Sequence, residues 1–524
     1  MTAVEHRAPL SGPGLAAALI RPQAYGDGSL PVEVRETHIS WVFLVGDRAY
    51  KLKKPVRLPF VDYGTLKRRH DMCLEEVRLN RRLAPLVYLG VKAVIAVPGG
   101  VALAAVHHPD AIDYVVEMCR FDEARTLAAR VSHGGVPYPA LVAVGRTLAD
   151  FHARAPQRDA GYATTALEHA LAENTDTLLE LAPDREFARQ VTELARFANA
   201  FLSARHGELA QRAAAGRVRD GHGDLRAEHV LLEQGVEIVD GLEFDPALRV
   251  TDVGCDLAFL LMDLEALGSP FAAGTVLASY REAGGDPGDD ALVAFFGVYR
   301  ALVRAKVALV RAGQAEDRTR RLTDARRRLA LAEHLAWRAR HPGLIVVAGL
   351  SASGKTTLAS LLAERSGFRH LGSDPVRKRL AGIAPAARAD AAAYTESFNR
   401  RTYAELGRLA RVDLEHTEGV IVDATFRNAD DRAAFLDELG GLPTDAVVVE
   451  CRAPLSVRFE RAHRRGRGVS DADTRVVRRQ AEADGLAEDV PPAQHIPLRT
   501  DRPAAEALDD LAAVLDGRLS LGGP

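Results

Sequence analysis

The sequence predicts two domains of different class, an α+β domain over residues 1–340 and an α/β domain with a mostly parallel sheet over 343–524. Three observations carry this. At 524 residues the chain exceeds the roughly 250–300 residues at which a single core stops growing. In the first half, strand-like alternation from Val32 to Lys53 runs into a helical period from Leu66 to Leu83. In the second, an apolar β-branched run (Ile345, Val346, Val347) ends in a glycine-rich loop, and an apolar-periodic helix follows (Leu358, Leu361, Leu362).

Composition narrows the classes. The balance of apolar and charged residues is that of a soluble globular protein, and apolar runs are only strand-length, so no membrane span is expected. The N-terminus lacks the basic start and apolar run of a secretion signal. Cys73, Cys119, Cys255 and Cys451 are scattered without metal-ligand spacing, which suits buried thiols in a reducing cytoplasm. A net charge of −3 offers no electrostatic footprint for nucleic acid.

In chain order, Val32 to Val45 reads as strands, Gly46-Asp47-Arg48 as a turn, and Ala49 to Lys53 as the returning strand. The helix from Leu66 to Leu83 carries Glu75 and Glu76. A strand lysine followed by a helix glutamate is the pair that a protein-kinase-like lobe uses to hold α- and β-phosphates. Lys51 and Lys53 share a strand face, and spacing does not choose between them; no GxGxxG loop precedes them. Ile112 to Met118 reads as a buried strand running into a turn, where such a fold crosses between lobes and offers backbone groups, Met118 among them, to adenine.

Leu141 to His152 forms an amphipathic helix. Next comes Asp220-Gly-His222-Gly-Asp224-Leu-Arg226-Ala-Glu228-His229, with the His-x-Asp spacing of a phosphotransfer catalytic loop. Asp224 is placed to take or orient the proton of a substrate hydroxyl. Val236 to Asp240 is a strand ending in a carboxylate suited to Mg²⁺, and Asp252 and Asp256 follow on the next helix. Residues 287–340 read as Arg/Ala-rich helices closing this domain, with a break at His341-Pro342-Gly343.

His-Gly-Asp, a strand-ending aspartate and Asp256-Leu-Ala resemble the aminoglycoside phosphotransferase (choline-kinase-like) family over residues 30 to 335. The lead-in from Thr37 to Leu44, Tyr50-Lys-Leu-Lys-Lys-Pro and Ala149-Asp-Phe-His152 fit the same pattern. The resemblance implies asparagine five residues after the catalytic aspartate, and this chain has His229. Mg²⁺ prefers oxygen ligands. Three readings stay open: Glu228 or a water supplies the oxygen, His229 positions Asp224 or Asp240, or the lobe binds nucleotide without efficient transfer.

In the second half, Gly349-x-x-x-x-Gly354-Lys355-Thr356 matches a phosphate-cradling loop whose inward N–H groups and helix N-terminus attract anions. Ser351, Ser353 and Thr357 belong to the same cradle; Lys355 suits the outer phosphates of ATP, and Thr356 suits Mg²⁺. Phe368 to Asp374 is a second strand ending in a carboxylate at the ligand-binding edge of the sheet. Asp374 is placed to activate a hydroxyl acceptor, and Arg377, one turn on, to grip it. Val420 to Asp423 is a strand ending in another acid suited to Mg²⁺, and Asp374 and Asp423 could exchange roles. Asp445 to Cys451 and His495 to Arg499 are further strands. Arg461 and Arg465 share a helical face, the pattern of a lid that closes over a transferring phosphoryl group.

The loop, Ser373-Asp374-x-x-Arg377, Asp423-Ala-Thr-Phe and Arg461-x-x-x-Arg465 resemble the P-loop small-molecule kinases that include gluconate kinase, zeta toxin and the kinase part of polynucleotide kinase. The tandem resembles bacterial bifunctional aminoglycoside phosphotransferase/ATP-binding proteins. The resemblance implies ATP- and Mg²⁺-dependent transfer of a γ-phosphoryl group to a hydroxyl of a small polar metabolite, of the sugar or sugar-acid class. Two alternatives are a catalytic N-terminal domain with an aminoglycoside-like or amino-sugar acceptor and the P-loop half as nucleotide sensor, and an ATP-binding switch without metabolite kinase activity.

Overall fold

The computed structural model describes residues 12–520, apart from 27, 59–60, 159, 314–316, 341, 385–386, 388, 417–418, 465–476 and 479–489. The chain folds as two compact units, one from residues 1–167 and 208–288, the other from 168–207 and 289–524.

The first unit holds a six-stranded antiparallel sheet of β1 (Val32–Glu36), β2 (Ser40–Val45), β3 (Arg48–Lys53), β4 (Tyr88–Val97), β5 (Gly100–Ala105) and β6 (Ala111–Cys119), ordered β1-β2-β3-β6-β4-β5. Its pleat sorts side chains by parity. Phe43, Val45, Leu52 and Val115 fill the core on one face, and Leu44, Ala49 and Val116 meet Cys73 and Val77 of helix α1 (Leu66–Asn80) on the other. Thr65 caps α1 by accepting the Arg68 N–H. The rest of the unit is helical around short strands, with α2 (Tyr138–Arg154), part of a long helix from Arg185 to Ala214, and α3 (Val253–Ala266), which Asp252 caps.

The second unit holds a five-stranded parallel sheet of β7 (Leu344–Ala348), β8 (Arg369–Gly372), β9 (Val420–Asp423), β10 (Val447–Arg452) and β11 (His495–Arg499), ordered β8-β9-β7-β10-β11. Its inner strands β7, β9 and β10 are buried on both faces, which is why they read as continuous apolar runs, while the edge strands β8 and β11 are partly exposed. Ile345 and Val347 face one core, and Leu344 and Val346 the other. The order reverses at β7, so a crevice opens beyond its carboxyl end.

A boundary near residue 340 differs from the division observed. Helices α4 (Asp290–Ala312) and α5 (Arg318–Ala339), expected to close the first domain, belong to the second unit. The reason is burial: Trp337 is 2% exposed and shares one core with Ile345, Leu358 and Leu511. The β4–β5 hairpin and the helices between residues 160 and 214 were not anticipated from sequence.

Candidate functional site

The glycine-rich loop leaves β7 and enters α6 (Lys355–Ser366). Gly349 (φ +135°) and Gly354 (φ +100°) adopt backbone that side chains rarely take. A Cβ on Gly349 would sit 2.6 Å from the Cys451 carbonyl. Ala352, also left-handed at φ +64°, completes the curl. Loop carbonyls are drawn outward: Ser353 O accepts from Thr500 Oγ1 at 2.6 Å and from Arg461 Nη1 at 3.2 Å, and Ser351 O accepts from Arg458 Nε at 3.0 Å.

Inside the curl, the Ser353 hydroxyl is buried and makes no hydrogen bond among the described residues. Buried hydroxyls ordinarily find partners. This one, with the blocked Cβ position at Gly349, marks a cradle shaped for a group from outside the chain, and the residues fit a nucleotide phosphate. Lys355 Nζ rests on Leu350 O at 3.0 Å, while Thr356 and Thr357 are exposed on the first turn of α6.

Parallel register brings the acids to the loop's edge, since Asp423 lies opposite both Val347 and Gly372. Asp423 is 5% exposed, with His370 Nε2 3.7 Å from its Oδ2. Asp374 stands half-buried in the first turn of α7 (Ser373–Leu380), which starts without an intervening loop after β8. Arg377 points into the protein: Nη1 donates to Ala393 O (2.7 Å) and Asn399 Oδ1 (2.6 Å), and its guanidinium stacks 4.7 Å from the Tyr394 ring centre. It therefore braces residues 393–399 from beneath. Arg461, on α8 (Leu455–Arg464), clamps the loop to Thr500 O at 2.5 Å, and Arg465 lies outside the described residues.

In the first unit, β3 and α1 bring lysines and glutamate together. Glu76 is 1% exposed and accepts from Lys51 (2.8 Å) and Lys53 (2.6 Å). Lys51 also reaches Asp240 Oδ1 at 2.9 Å, whereas Lys53 turns to Glu243 at 2.5 Å, beside the Tyr63 hydroxyl. Burial pulls the Lys51 ammonium down, but Asp240 and Glu76 outweigh it and hold it well above its ordinary value. The Lys51 charge in turn holds Asp240 far below the carboxylate range. Asp240 sits at φ +66° with half its side chain open. Met118 pairs with Tyr88 and Ala49 in the sheet and is buried in its core.

The loop carrying Asp224 is hung from Asp256 of α3, which accepts the His222 N–H (2.7 Å), the Gly223 N–H (2.9 Å) and His152 Nε2 (3.2 Å). Burial lowers His222 to about 4, so it is neutral near pH 7. Arg226 forks both Asp224 oxygens at 3.0 Å and contacts His229 Nε2 at 3.0 Å, while His229 Nδ1 meets the Asp224 carbonyl at 2.8 Å. A carbonyl only accepts and a guanidinium only donates, so Nδ1 carries the proton and Nε2 the lone pair. His229 Nε2 is 3.7 Å from Asp240 Oδ2. Sequence reasoning assigned no role to Arg226, Glu243, Tyr63 or Asp256. Asp256 stood in the quoted Asp-Leu-Ala motif, but its work as a loop anchor needs the fold.

Among the described residues no three His, Cys, Asp or Glu side chains form a cage for a metal.

The family model described as an AAA domain matches residues 344–483. Two curated relatives, Rv2004c of Mycobacterium tuberculosis and Mb2027c of Mycobacterium bovis, each described as an uncharacterized protein, are 34% identical over 466 residues, covering 86% of this chain and 91% of theirs. The chain belongs to the Rv2004c family. Among solved structures, this Rv2004c-family chain is similar to a gluconokinase from Sinorhizobium meliloti (23% identity, TM-score 0.25, 34% of this chain and 94% of that one). It is also similar to a choline/ethanolamine kinase family protein from Mesorhizobium loti (15% identity, TM-score 0.35, 59% and 94%). Its two units are an α+β unit with an antiparallel sheet and a unit that carries the P-loop on a parallel sheet. No described helix is long and apolar enough to cross a membrane.

Proposed function

We propose that the chain is an ATP- and Mg²⁺-dependent phosphotransferase whose P-loop unit acts on a hydroxyl of a small polar metabolite, of the sugar or sugar-acid class. The observation that carries this reading is the cradle itself: a blocked Cβ position at Gly349, an unpartnered Ser353 hydroxyl, Asp423 at the end of β9 and Asp374 in the first turn of α7. When bound, ATP with Mg²⁺ supplies the phosphoryl group and neutralises its charge. Lys355, Ser351, Ser353 and the loop N–H groups would hold the phosphates, and Thr356 and Asp423 would hold the metal. Asp374 would take the proton of the acceptor hydroxyl as its oxygen bonds to the γ-phosphorus and the bond from that phosphorus to the departing ADP oxygen breaks. Arg461 keeps the loop in shape through Ser353 O, so its part is positioning.

A second reading has its own observation. Lys51, Glu76 and Asp240 stand assembled in the first unit beside Asp224 and its loop, which supports a further nucleotide site there with Lys51 toward phosphate, and Asp240 with His229 toward the metal.

The test offers radiolabelled ATP, Mg²⁺ and a metabolite extract to wild type, Lys355→Ala and Asp224→Asn. A labelled small molecule lost in Lys355→Ala and kept in Asp224→Asn is expected, with turnover down about a hundredfold or more. Loss only in Asp224→Asn moves the chemistry to the first unit. No product from any sample that still binds ATP supports a nucleotide-driven switch and overturns the kinase reading.

A further inference from the structure

Two cavities flank the phosphate loop. One lies on its helix side, lined by Gly354, Thr357, Arg461 and Arg502. The other, about 560 Å³, lies on its strand side and begins at Gly349 and Leu350. Four arginines line this second cavity, Arg427, Arg452, Arg458 and Arg499, against two carboxylates, Glu450 and Asp501. Both carboxylates are engaged, Glu450 by Arg452 at 2.6 Å and Asp501 by Arg499 at 2.8 Å. Among the described residues no carboxylate pairs with Arg427 or Arg458.

Arg458 is the unusual one. It is 5% exposed, its Nε donates to Ser351 O, and its Nη2 is buried without a hydrogen bond among the described residues. Burial with no counter-charge pulls the guanidinium below its ordinary value. Such a group is costly, and proteins keep buried charges paired. A buried guanidinium without a counter-charge, on a cavity lined by three further arginines, is completed by an anion, and its fork suits the two oxygens of a carboxylate or phosphate.

We propose that this strand-side cavity is an anion subsite of the P-loop unit, in which Arg458 binds a carboxylate or phosphate group carried by the acceptor. The acceptor is then a hydroxy acid or a phosphorylated alcohol and not a neutral sugar. This rests on reading the loop as a phosphate cradle.

The test is calorimetry on the full chain, first titrated with AMP-PNP and Mg²⁺, then, at saturation, with inorganic phosphate or with acetate. Wild type is expected to bind one equivalent of anion with nucleotide in place. Arg458→Met should weaken it about tenfold or more, the scale of a lost charge-assisted hydrogen bond, with Arg458→Lys in between. Tighter phosphate indicates a phosphorylated acceptor, and comparable acetate a hydroxy acid. Because Arg458→Met removes an unpaired buried charge, it should melt no lower than wild type. Anion binding absent in wild type, or unchanged in Arg458→Met, overturns the proposal; so does a lowered melting point with binding intact, which makes Arg458 a tie for the Ser351 carbonyl. Failure of the cradle reading shows separately, as AMP-PNP affinity and stoichiometry that Lys355→Ala leaves unchanged, and the anion titration of the nucleotide-free protein then still decides the subsite.

Discussion

Lys51 and Lys53 differ by two positions and share a strand face, yet the chain asks different things of them. Lys53 has no exposed side-chain surface and lies between Glu76 and Glu243, so its work is to neutralise buried acids. Lys51 joins the same Glu76 to Asp240, whose carboxylate is half open. Removing one partner of a buried pair costs about 3–5 kcal/mol because the other charge is stranded. Lys53→Met is therefore expected to lower the melting temperature steeply, and Lys51→Met to leave it within a few degrees. On the reading that the first unit also takes nucleotide, Lys51→Met in a Lys355→Ala background should instead weaken a fluorescent ATP analogue about tenfold. Equal melting losses in both variants would remove the distinction. The sequence showed two lysines and a glutamate; which lysine faces Asp240 depends on Glu243, 190 positions away from Lys53.

At the scale of elements, what was legible followed from local chemistry. Strand β7, its loop and α6 were readable because apolar β-branched residues, fixed glycines and a lysine each act within a few positions. The helices from 160 to 214 escaped because their Ala, Glu and Arg content is shared with solvent-facing segments. Part of that stretch meets the C-terminal helix α9 (Ala504–Ser520), where Arg189 Nη1 donates to Glu193 at 2.5 Å and to Asp509 at 2.7 Å. Burial, then the neighbouring Asp509, push the Glu193 carboxyl up to about 7 from 4.5. The native state thus holds a proton between pH 4.5 and 7 that the unfolded chain releases, so stability from this contact is full below 4.5 and is lost as pH rises through 7. Glu193→Gln keeps the neutral form throughout. It should match wild type near pH 4.5 and melt about 2–4 °C higher at pH 8, the shift of roughly 1 kcal/mol in a unit of this size. Parallel melting curves across that range would count against it.

For the whole molecule, the two candidate sites were visible as motifs, but the division of the chain was not, because it rests on tertiary burial. Trp337 reads as one aromatic in an Arg/Ala-rich helix and is in fact a core residue of the P-loop unit. A fragment starting at residue 343 should therefore be unstable, and one starting at 289 should still lack the 168–207 helices of its unit. Limited proteolysis and melting of the two fragments beside the full chain would check this; a cooperative 343–524 fragment would refute it. The same feature has a consequence in time. Arg189 and Arg196 find their carboxylates at Asp509 and Asp516, 320 positions later. On the ribosome these arginines emerge long before their partners are made. With synthesis at about 5–20 residues per second, they wait on the order of 15–60 s. Within that interval the first unit's chain is completed, at residue 288, whereas the P-loop unit's is not. Translation therefore imposes an order of maturation, in which the unit that carries the phosphate cradle is the last to become complete.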